Sequence, residues 1–594
     1  MKIAYKNSTL ERVLTAVKGV TSVAIVVAFA LRFGFYEPPL PVRFLVGVLI
    51  GTLFIFVGGK MIRLFNAESK REYVVANWYE IPMLIALLVA LVGAGRWFGR
   101  TEPAQIQDWA IALYLIIDVT IKFFMLCVRL AATGKDPTRV LVASFIVLIL
   151  TGATLLMLPK ATPGRASLPF VDALFTSTSA TCVTGLAVKD TGTSFTLMGQ
   201  LVILALIQLG GLGIVVLGAV LALLLGQALS MRESAAIQDL LSEGTLGRIN
   251  RMVVFVFAAT ALIELLGAAA LLHLWNVPGR ALGTQQQWYY SIFHAISAFC
   301  NAGFGLFSDN LVSYNRCWQV YLVICPLIVL GGLGFGVLYD LGGVALDRAL
   351  RFCKRSIHRS CPVFQQGPRR MWLQTKIVLA VTVCLIVGGM LALFVFERLT
   401  GQGPAARNFS LLDALFQSVT ARTAGFNSVD IAALSDAGKF ILILLMVIGG
   451  SPGGTAGGIK TVTFVVVLMA VIATLRRRDD VEIFNRSVSL LIVRRAITVA
   501  VLFVMALFGA TLALCITEAS SHFTMMQIFF EVASALGTVG LSTGITPALT
   551  TAGKLIIILV MLTGRLGPLT LLAVLAFNAK PVRYSYPDEA IVVG

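Results

Sequence analysis

Four stretches of this chain repeat one order of parts: a short apolar segment, a small-residue turn centred on a glycine, then a longer apolar run. The turns are Thr181-Cys182-Val183-Thr184-Gly185-Leu186, Phe299-Cys300-Asn301-Ala302-Gly303-Phe304, Thr420-Ala421-Arg422-Thr423-Ala424-Gly425-Phe426 and Leu536-Gly537-Thr538-Val539-Gly540-Leu541. Their glycines lie 118, 122 and 115 residues apart, and each is followed by Leu or Phe. One such turn is a weak signal. Four at even spacing predict four copies of one unit, set around a common axis that the turns line.

Composition says where such a fold sits. The chain is 58% hydrophobic and 13% charged, about half the charge of a soluble protein. That predicts a polytopic membrane protein. The net charge of +18 marks cytoplasmic loops in this setting and gives no reason to expect nucleic acid. The nine cysteines are scattered, several within apolar runs, which is no disulfide framework. No small-residue cleavage site follows the first apolar run, so it reads as a span and not a signal peptide.

The expected fold class is an all-α polytopic membrane protein. It has four outer helix–pore helix–filter loop–inner helix repeats with pseudo-fourfold symmetry, plus about four extra N-terminal transmembrane helices. The leading spans are placed at 20–35, 44–57, 81–92 and 110–128, with a basic cytoplasmic loop holding Lys60, Arg63, Lys70 and Arg71. Asp118 and Lys122, four residues apart, read as an internal ion pair on one helix face. The domains follow as residues 1–136 for the extra helices, 137–230 for repeat 1, 231–345 for a linker and repeat 2, 346–475 for a basic linker and repeat 3, and 476–594 for a linker, repeat 4 and a cytosolic end. Twelve crossings result, with both termini cytoplasmic. Arg348, Arg351, Lys354 and Arg355, then Arg476, Arg477 and Arg478, crowd the linkers between repeats, which turns the glycine turns outward. The linker 231–251 reads as an amphipathic cytosolic helix.

Non-helical backbone inside a bilayer is tolerated only where it is buried or lines water. Backbone carbonyls in such a turn can replace the hydration shell of an ion, and glycine allows the positive φ that turns them to one side. The short helices aim partly negative C-terminal ends at the centre, which favours a cation. The candidate ion-binding residues are Cys182, Val183, Thr184 and Gly185; Cys300, Asn301, Ala302 and Gly303; Arg422, Thr423, Ala424 and Gly425; and Gly537, Thr538, Val539 and Gly540. Register slips in the third copy. Ser179, Ser297 and Ser534 stand six residues before their glycines, but Val419 holds that place before Gly425. Arg422, a cation beside a cation path, is expected to point away and hold the loop through backbone carbonyls or Glu531.

Each inner span carries a second glycine cluster: Gly210-Gly211-Leu212-Gly213, Gly331-Gly332-Leu333-Gly334, Gly449 to Gly458, and Gly564-Arg565-Leu566-Gly567. The third cannot be a continuous helix, because Pro and repeated Gly break it. A flexible loop under a filter suits a gate, with candidate residues Gly450, Ser451, Pro452, Gly453, Gly454, Thr455, Gly457, Gly458, Lys460 and Arg565. Ile459 separates Gly458 from Lys460, so the loop is not a nucleotide-binding P-loop.

The turns, together with Gly-Gly-Ser-Pro-Gly-Gly-Thr-Ala-Gly-Gly-Ile-Lys-Thr and Gly-Arg-Leu-Gly-Pro-Leu-Thr, resemble the Ktr/Trk/HKT superfamily of potassium transporters, in particular the bacterial KtrB-type membrane subunit, from about Pro137 onward. The resemblance implies a pseudo-fourfold K⁺ pore, uptake across the bacterial inner membrane, a homodimer, and a cytosolic RCK ring of nucleotide-binding subunits that regulates it. Any nucleotide cofactor then belongs to that partner and none to this chain. Gly185 matches the K⁺-preferring pattern, Gly449 to Gly458 the gating loop, and Arg565 the family's arginine in the last inner helix. The extra spans before Asp136 depart from the pattern.

Other readings are a Na⁺-coupled or Na⁺-permeable transporter, or an alternating-access carrier, which would show related halves where quarters are seen. Four histidines without metal-ligand spacing give no enzyme centre. Cys353, His358 and Cys361 read as part of a solvated loop.

Overall fold

A computed structural model describes residues 6–97, 107, 110–121, 137–164, 167–213, 249–276, 282–357, 370–401 and 409–575. Lys122, most of the 231–251 linker, His358, Cys361 and the chain after 575 lie outside the described residues.

The described residues are mostly helical, and their parts recur in fours. Outer helices are Pro137–Leu156, Ile249–Leu271, Leu373–Thr400 and Leu490–Thr517. Pore helices are Phe170–Thr181, Thr284–Phe299, Leu411–Thr420 and Met525–Gly537. The last two open with capping boxes, Ser410 with Asp413 and Thr524 with Gln527, which satisfy helix-end N–H groups that neither lipid nor a buried site could. Phe175, Phe293, Phe416 and Phe530 are fully buried and fix each pore helix in the core. By length and apolarity five described helices can cross a bilayer, or six if one bent pair is counted, and several shorter apolar helices accompany them.

Inner helices differ from the expected continuous spans. All four break, where the glycine clusters predicted a break in the third alone. The first ends at Leu212 with Gly213 at φ +81°. The second bends by 104° between Val320–Leu333 and Phe335–Phe352, with Gly334 at φ +85°. The fourth stops at Leu566, with Gly567 at φ +86° and Pro568 restarting it. Left-handed backbone ends a helix, and glycine adopts it without steric cost. The third runs Asp436–Val447, opens into a loop, and resumes as Thr461–Leu475.

One further correction and two additions concern the flanks. Lys60 and Arg63 lie within the helix Val42–Asn66 and not in a loop. Lys60 is buried and its ammonium reaches Asp118 at 3.0 Å, Tyr114 Oη at 2.9 Å and Glu80 at 3.4 Å. Asp118 is thus tied to a neighbouring helix, and the proposed Lys122 partner is not described. Between repeats 3 and 4 the basic linker forms a hairpin, Val481–Ile483 with Arg486–Val488. Its Val481 and Ile483 are buried among Val466, Ala473, Val493 and Ala496. The N-terminal helices adjoin the repeats through Lys160 N–H, which donates to Gly34 O at 3.0 Å.

Candidate functional site

The four turns meet. A methyl group built on Gly185 would lie 3.2 Å from Gly303 Cα; on Gly303, 2.8 Å from Gly425 Cα; on Gly425, 3.2 Å from Gly540 Cα; and on Gly540, 2.9 Å from Gly185 Cα. Each would meet first the carbonyl oxygen preceding the next glycine: Ala302, Ala424, Val539 and Thr184 in turn. The ring closes in chain order. It has no room for side chains, which is why glycine stands there.

Local backbone explains the shape. The glycines have φ of +94°, +69°, +79° and +93°, and the residues two before them, Val183, Asn301, Thr423 and Thr538, are also positive at +57°, +59°, +73° and +50°. Left-handed Val and Thr cost of order 1–3 kcal/mol each, so surrounding contacts must hold them. Residue type gave no warning at Val183, Thr423 or Thr538, whereas asparagine, as at Asn301, often adopts this conformation. The turn N–H groups bond back into the pore helices: Thr184 to Ser179 O, Ala302 to Ser297 O, Ala424 to Thr420 O and Val539 to Ser534 O, at 2.7–2.9 Å. Among the described residues nothing donates to the carbonyls of Val183, Thr184, Asn301, Ala302, Thr423, Ala424, Thr538 or Val539. Buried carbonyls are almost always paired; a dehydrated cation on the axis is a partner that suits them.

The slipped register of repeat 3 resolves here. Ser179 and Ser534 hydroxyls accept from Gly185 N–H and Gly540 N–H at 3.1 and 3.0 Å. Ser297 instead donates to Phe304 O at 2.8 Å, and Thr420 donates to Phe426 O at 2.6 Å. Thr420, and not Val419, takes the serine's part, one residue nearer the glycine. Arg422 is buried and donates to Gly449 O at 3.3 Å. Glu531 serves other groups, accepting from Ser542 Oγ at 3.0 Å and from Thr546 Oγ1. Of the two anchors expected for Arg422, the carbonyl is used.

The loop of repeat 3 lies against the inner side of the ring. Ser451 N–H donates to Gly332 O at 3.0 Å, and Phe335 N–H to Gly453 O at 3.1 Å, joining it to the second inner helix. A methyl on Gly454 would lie 3.1 Å from Gly334 Cα, and one on Gly457 would lie 3.0 Å from Gly537 O. Gly453 and Gly458 have positive φ, and Ser451 and Thr455 are fully buried. Arg565 donates to Thr455 O, to Gly210 O, and to Gly211 O at 3.3 Å. Lys460 Nζ donates to Ala456 O. The loop thereby touches all three other repeats, the first through Arg565. Gly450 and Pro452 belong to the same crossing.

Two contacts were not legible in the sequence. Lys554 pairs with Asp172 at 2.8 Å, fastening repeat 4 to repeat 1. Glu264 accepts from Gln208 at 3.1 and 3.2 Å, with Cys300 Sγ 3.4 Å from Gln208 Oε1. Only the mid-span Glu264, a charge within an apolar run, could have drawn attention.

The family model for the cation transport protein TrkH matches residues 110–581. "Ktr system potassium uptake protein B" of Bacillus subtilis is 41% identical over 462 residues, covering 77% of this chain and 97% of that protein. "Potassium/sodium uptake protein NtpJ" of Enterococcus hirae is 34% identical over 472 residues, with 77% and 97% covered. The crystal structure of the potassium transporter TrkH from Vibrio parahaemolyticus has the same fold, with a TM-score of 0.57 at 19% identity, over 85% of this chain and 97% of that one.

Proposed function

The chain belongs to the TrkH family of cation transport proteins, and from that premise we propose that it takes up K⁺ through the ring at Gly185, Gly303, Gly425 and Gly540. The observation that carries this reading is the closed tetrad of glycines together with the donor-free carbonyls of the two residues before each of them. A K⁺ ion entering the ring exchanges water for main-chain oxygens, whose positions are set by the pore helices and not by mobile side chains. The Gly450–Gly458 segment is the gate, and Arg565 is its latch. The guanidinium neutralises helix-end carbonyls of Gly210 and Gly211, holds Thr455 O and puts a positive charge beneath the ring. Opening requires the loop to leave Arg565 and the second inner helix. Lys460, bonded to Ala456 O, adds a second cation to this level.

In this reading repeats occupy 137–230, 231–345, 346–475 and 476–594, after an N-terminal unit at 1–136. The protein works as a homodimer in the bacterial inner membrane, with both termini cytoplasmic and an RCK nucleotide-binding ring below it. Support for the dimer, the membrane and the RCK ring is the resemblance of the turns and the Gly449 to Gly458 loop to the Ktr/Trk/HKT superfamily, and support for the termini is the basic charge of the linkers between repeats. A Na⁺-permeable pore is the second reading, favoured by the potassium/sodium name of the Enterococcus hirae relative. Uptake of Rb⁺ and Na⁺ by cells lacking other K⁺ uptake, with and without a co-expressed RCK subunit, tests both. K⁺-selective growth rescue that rises with the RCK subunit is expected. Equal Na⁺ and Rb⁺ entry would favour the second reading, and no cation entry by inserted protein would overturn both.

A further inference from the structure

In each pore helix the buried phenylalanine is followed by a buried polar residue: Thr176, His294, Gln417 and Glu531. They stand nine, nine, eight and nine residues before their filter glycines, the third again short by one. The four therefore hold one place in the repeat. A buried polar side chain needs a partner, and the partners differ.

Two of the four reach the chain just past the filter. His294 Nδ1–H donates to Tyr290 O at 2.8 Å, which leaves Nε2 as an acceptor, and Leu306 N–H donates to it at 3.3 Å. Leu306 lies three residues past Gly303. Contacts with Trp275 and Phe307, whose ring centroids are 4.4 and 5.5 Å away, hold the imidazole in place. Glu531 accepts from Ser542 Oγ at 3.0 Å and from Thr546 Oγ1, two and six residues past Gly540. Ser542 Oγ in turn accepts from Gly544 N–H at 2.9 Å, so one carboxylate gathers the outer lip of the fourth turn. The other two side chains do not reach their lips. Thr176 Oγ1 donates to Asp172 O of its own helix at 2.9 Å, and the Gln417 side chain has no hydrogen-bond partner among the described residues.

Because the ring closes in chain order, the braced turns of repeats 2 and 4 face each other across the axis. Their glycines, and Asn301 and Thr538 before them, have left-handed backbone. Such backbone persists only where its surroundings over-determine it. Ser297 and Ser534 hold these turns from one side, and the imidazole and the carboxylate fix the chain where it leaves them. We infer that His294 and Glu531 are positioning residues for ion selection, acting from behind the filter through Leu306, Ser542 and Thr546 to hold opposite walls of the ring. This rests on the ring being the selective element, and it adds two residues outside the ring and the gating loop to those that set ion preference.

The test is initial Rb⁺ and Na⁺ uptake by the full chain in vesicles, with the amount and Tm of each protein measured alongside. His294→Leu and Glu531→Leu should each lower Rb⁺ over Na⁺ discrimination about threefold or more, the weight of one lost hydrogen bond. His294→Gln and Glu531→Gln keep an acceptor on the side chain and should recover most of it. Thr176→Val, at the same place in the repeat but without a bond to its lip, should leave discrimination unchanged even if it lowers Tm. Ser542→Ala with Thr546→Val removes the donors from the loop side. It should reproduce Glu531→Leu, and it decides the matter if that buried substitution prevents insertion. Wild-type discrimination in the leucine variants or in the loop double variant, or a loss in Thr176→Val as large as theirs, would overturn the assignment. A wild type that takes up both ions without discrimination would overturn the filter reading and this one with it, so the wild-type value tells the two failures apart.

Discussion

Replacing Gly425 by Ser tests the ring directly. At φ +79° a residue with a Cβ pays about 1–2 kcal/mol for left-handed backbone. That Cβ would also stand 3.1 Å from Gly303 Cα and 3.2 Å from Gly540 Cα, and nearer still to Val539 O. None of these neighbours is a flexible side-chain tip, so the turn itself must shift by a few tenths of an ångström. The carbonyls then no longer match one dehydrated ion. If the filter gives up selectivity equal to the backbone term alone, about 1–2 kcal/mol, K⁺ over Na⁺ discrimination falls about 5–30-fold. The assay is initial Rb⁺ and Na⁺ uptake in cells without other K⁺ uptake, normalised to protein in the membrane. Gly388→Ser is the control: it lies in the outer helix of the same repeat, and its added Cβ meets nothing within 4 Å. A Gly425→Ser protein that inserts normally and keeps wild-type discrimination would refute selection by main-chain oxygens at this level.

Other expectations follow from contacts already described. Arg565→Ala frees Thr455 O and the Gly210–Gly211 carbonyls, so basal Rb⁺ flux should rise several-fold in vesicles without a regulatory subunit; unchanged flux would remove the latch. Lys554→Ala leaves Asp172 largely buried without its 2.8 Å partner, a loss of up to about 3 kcal/mol, read as a lower Tm in detergent, with Lys554→Ala/Asp172→Asn recovering part of it; a double variant no more stable than the single would count against the pairing account. Thr420→Val removes the bond to Phe426 O and should cost about 1 kcal/mol and reduce K⁺ selectivity, whereas Val419→Ser should not compensate. A chain beginning at Pro137 should still take up K⁺, since the match to the Bacillus subtilis protein covers 97% of that relative but 77% of this chain; inserted but inactive protein would make the first helices part of the transport unit.

The repeat architecture was legible because its signals are local. Hydropathy, glycine spacing and the buried Phe of each pore helix are read within a dozen residues, and the only register slip, at Val419, was visible as a missing serine. Its remedy was not, because Thr420 becomes equivalent only after the turn shortens. The inner-helix breaks at Gly213, Gly334 and Gly567 escaped because a glycine pair also suits a continuous membrane helix; only proline in the third copy made a break explicit. Asp118 was given to Lys122 by helix spacing, while Lys60, 58 residues away, reaches it across a helix interface. The short hairpin after Leu475 was masked by its arginines, although Phe484 and Asn485, both at positive φ, make a two-residue turn of the kind that joins tight hairpins.

Serving the same purpose by opposite hydrogen bonds, Ser179 and Ser534 accept where Ser297 and Thr420 donate. In an assembly of four identical subunits such divergence is impossible, since every substitution arrives in quadruplicate. A single polypeptide escapes that rule: one codon alters one quadrant. Ion preference can therefore be graded in quarter steps, and a lesion in one wall leaves three intact to hold the aperture.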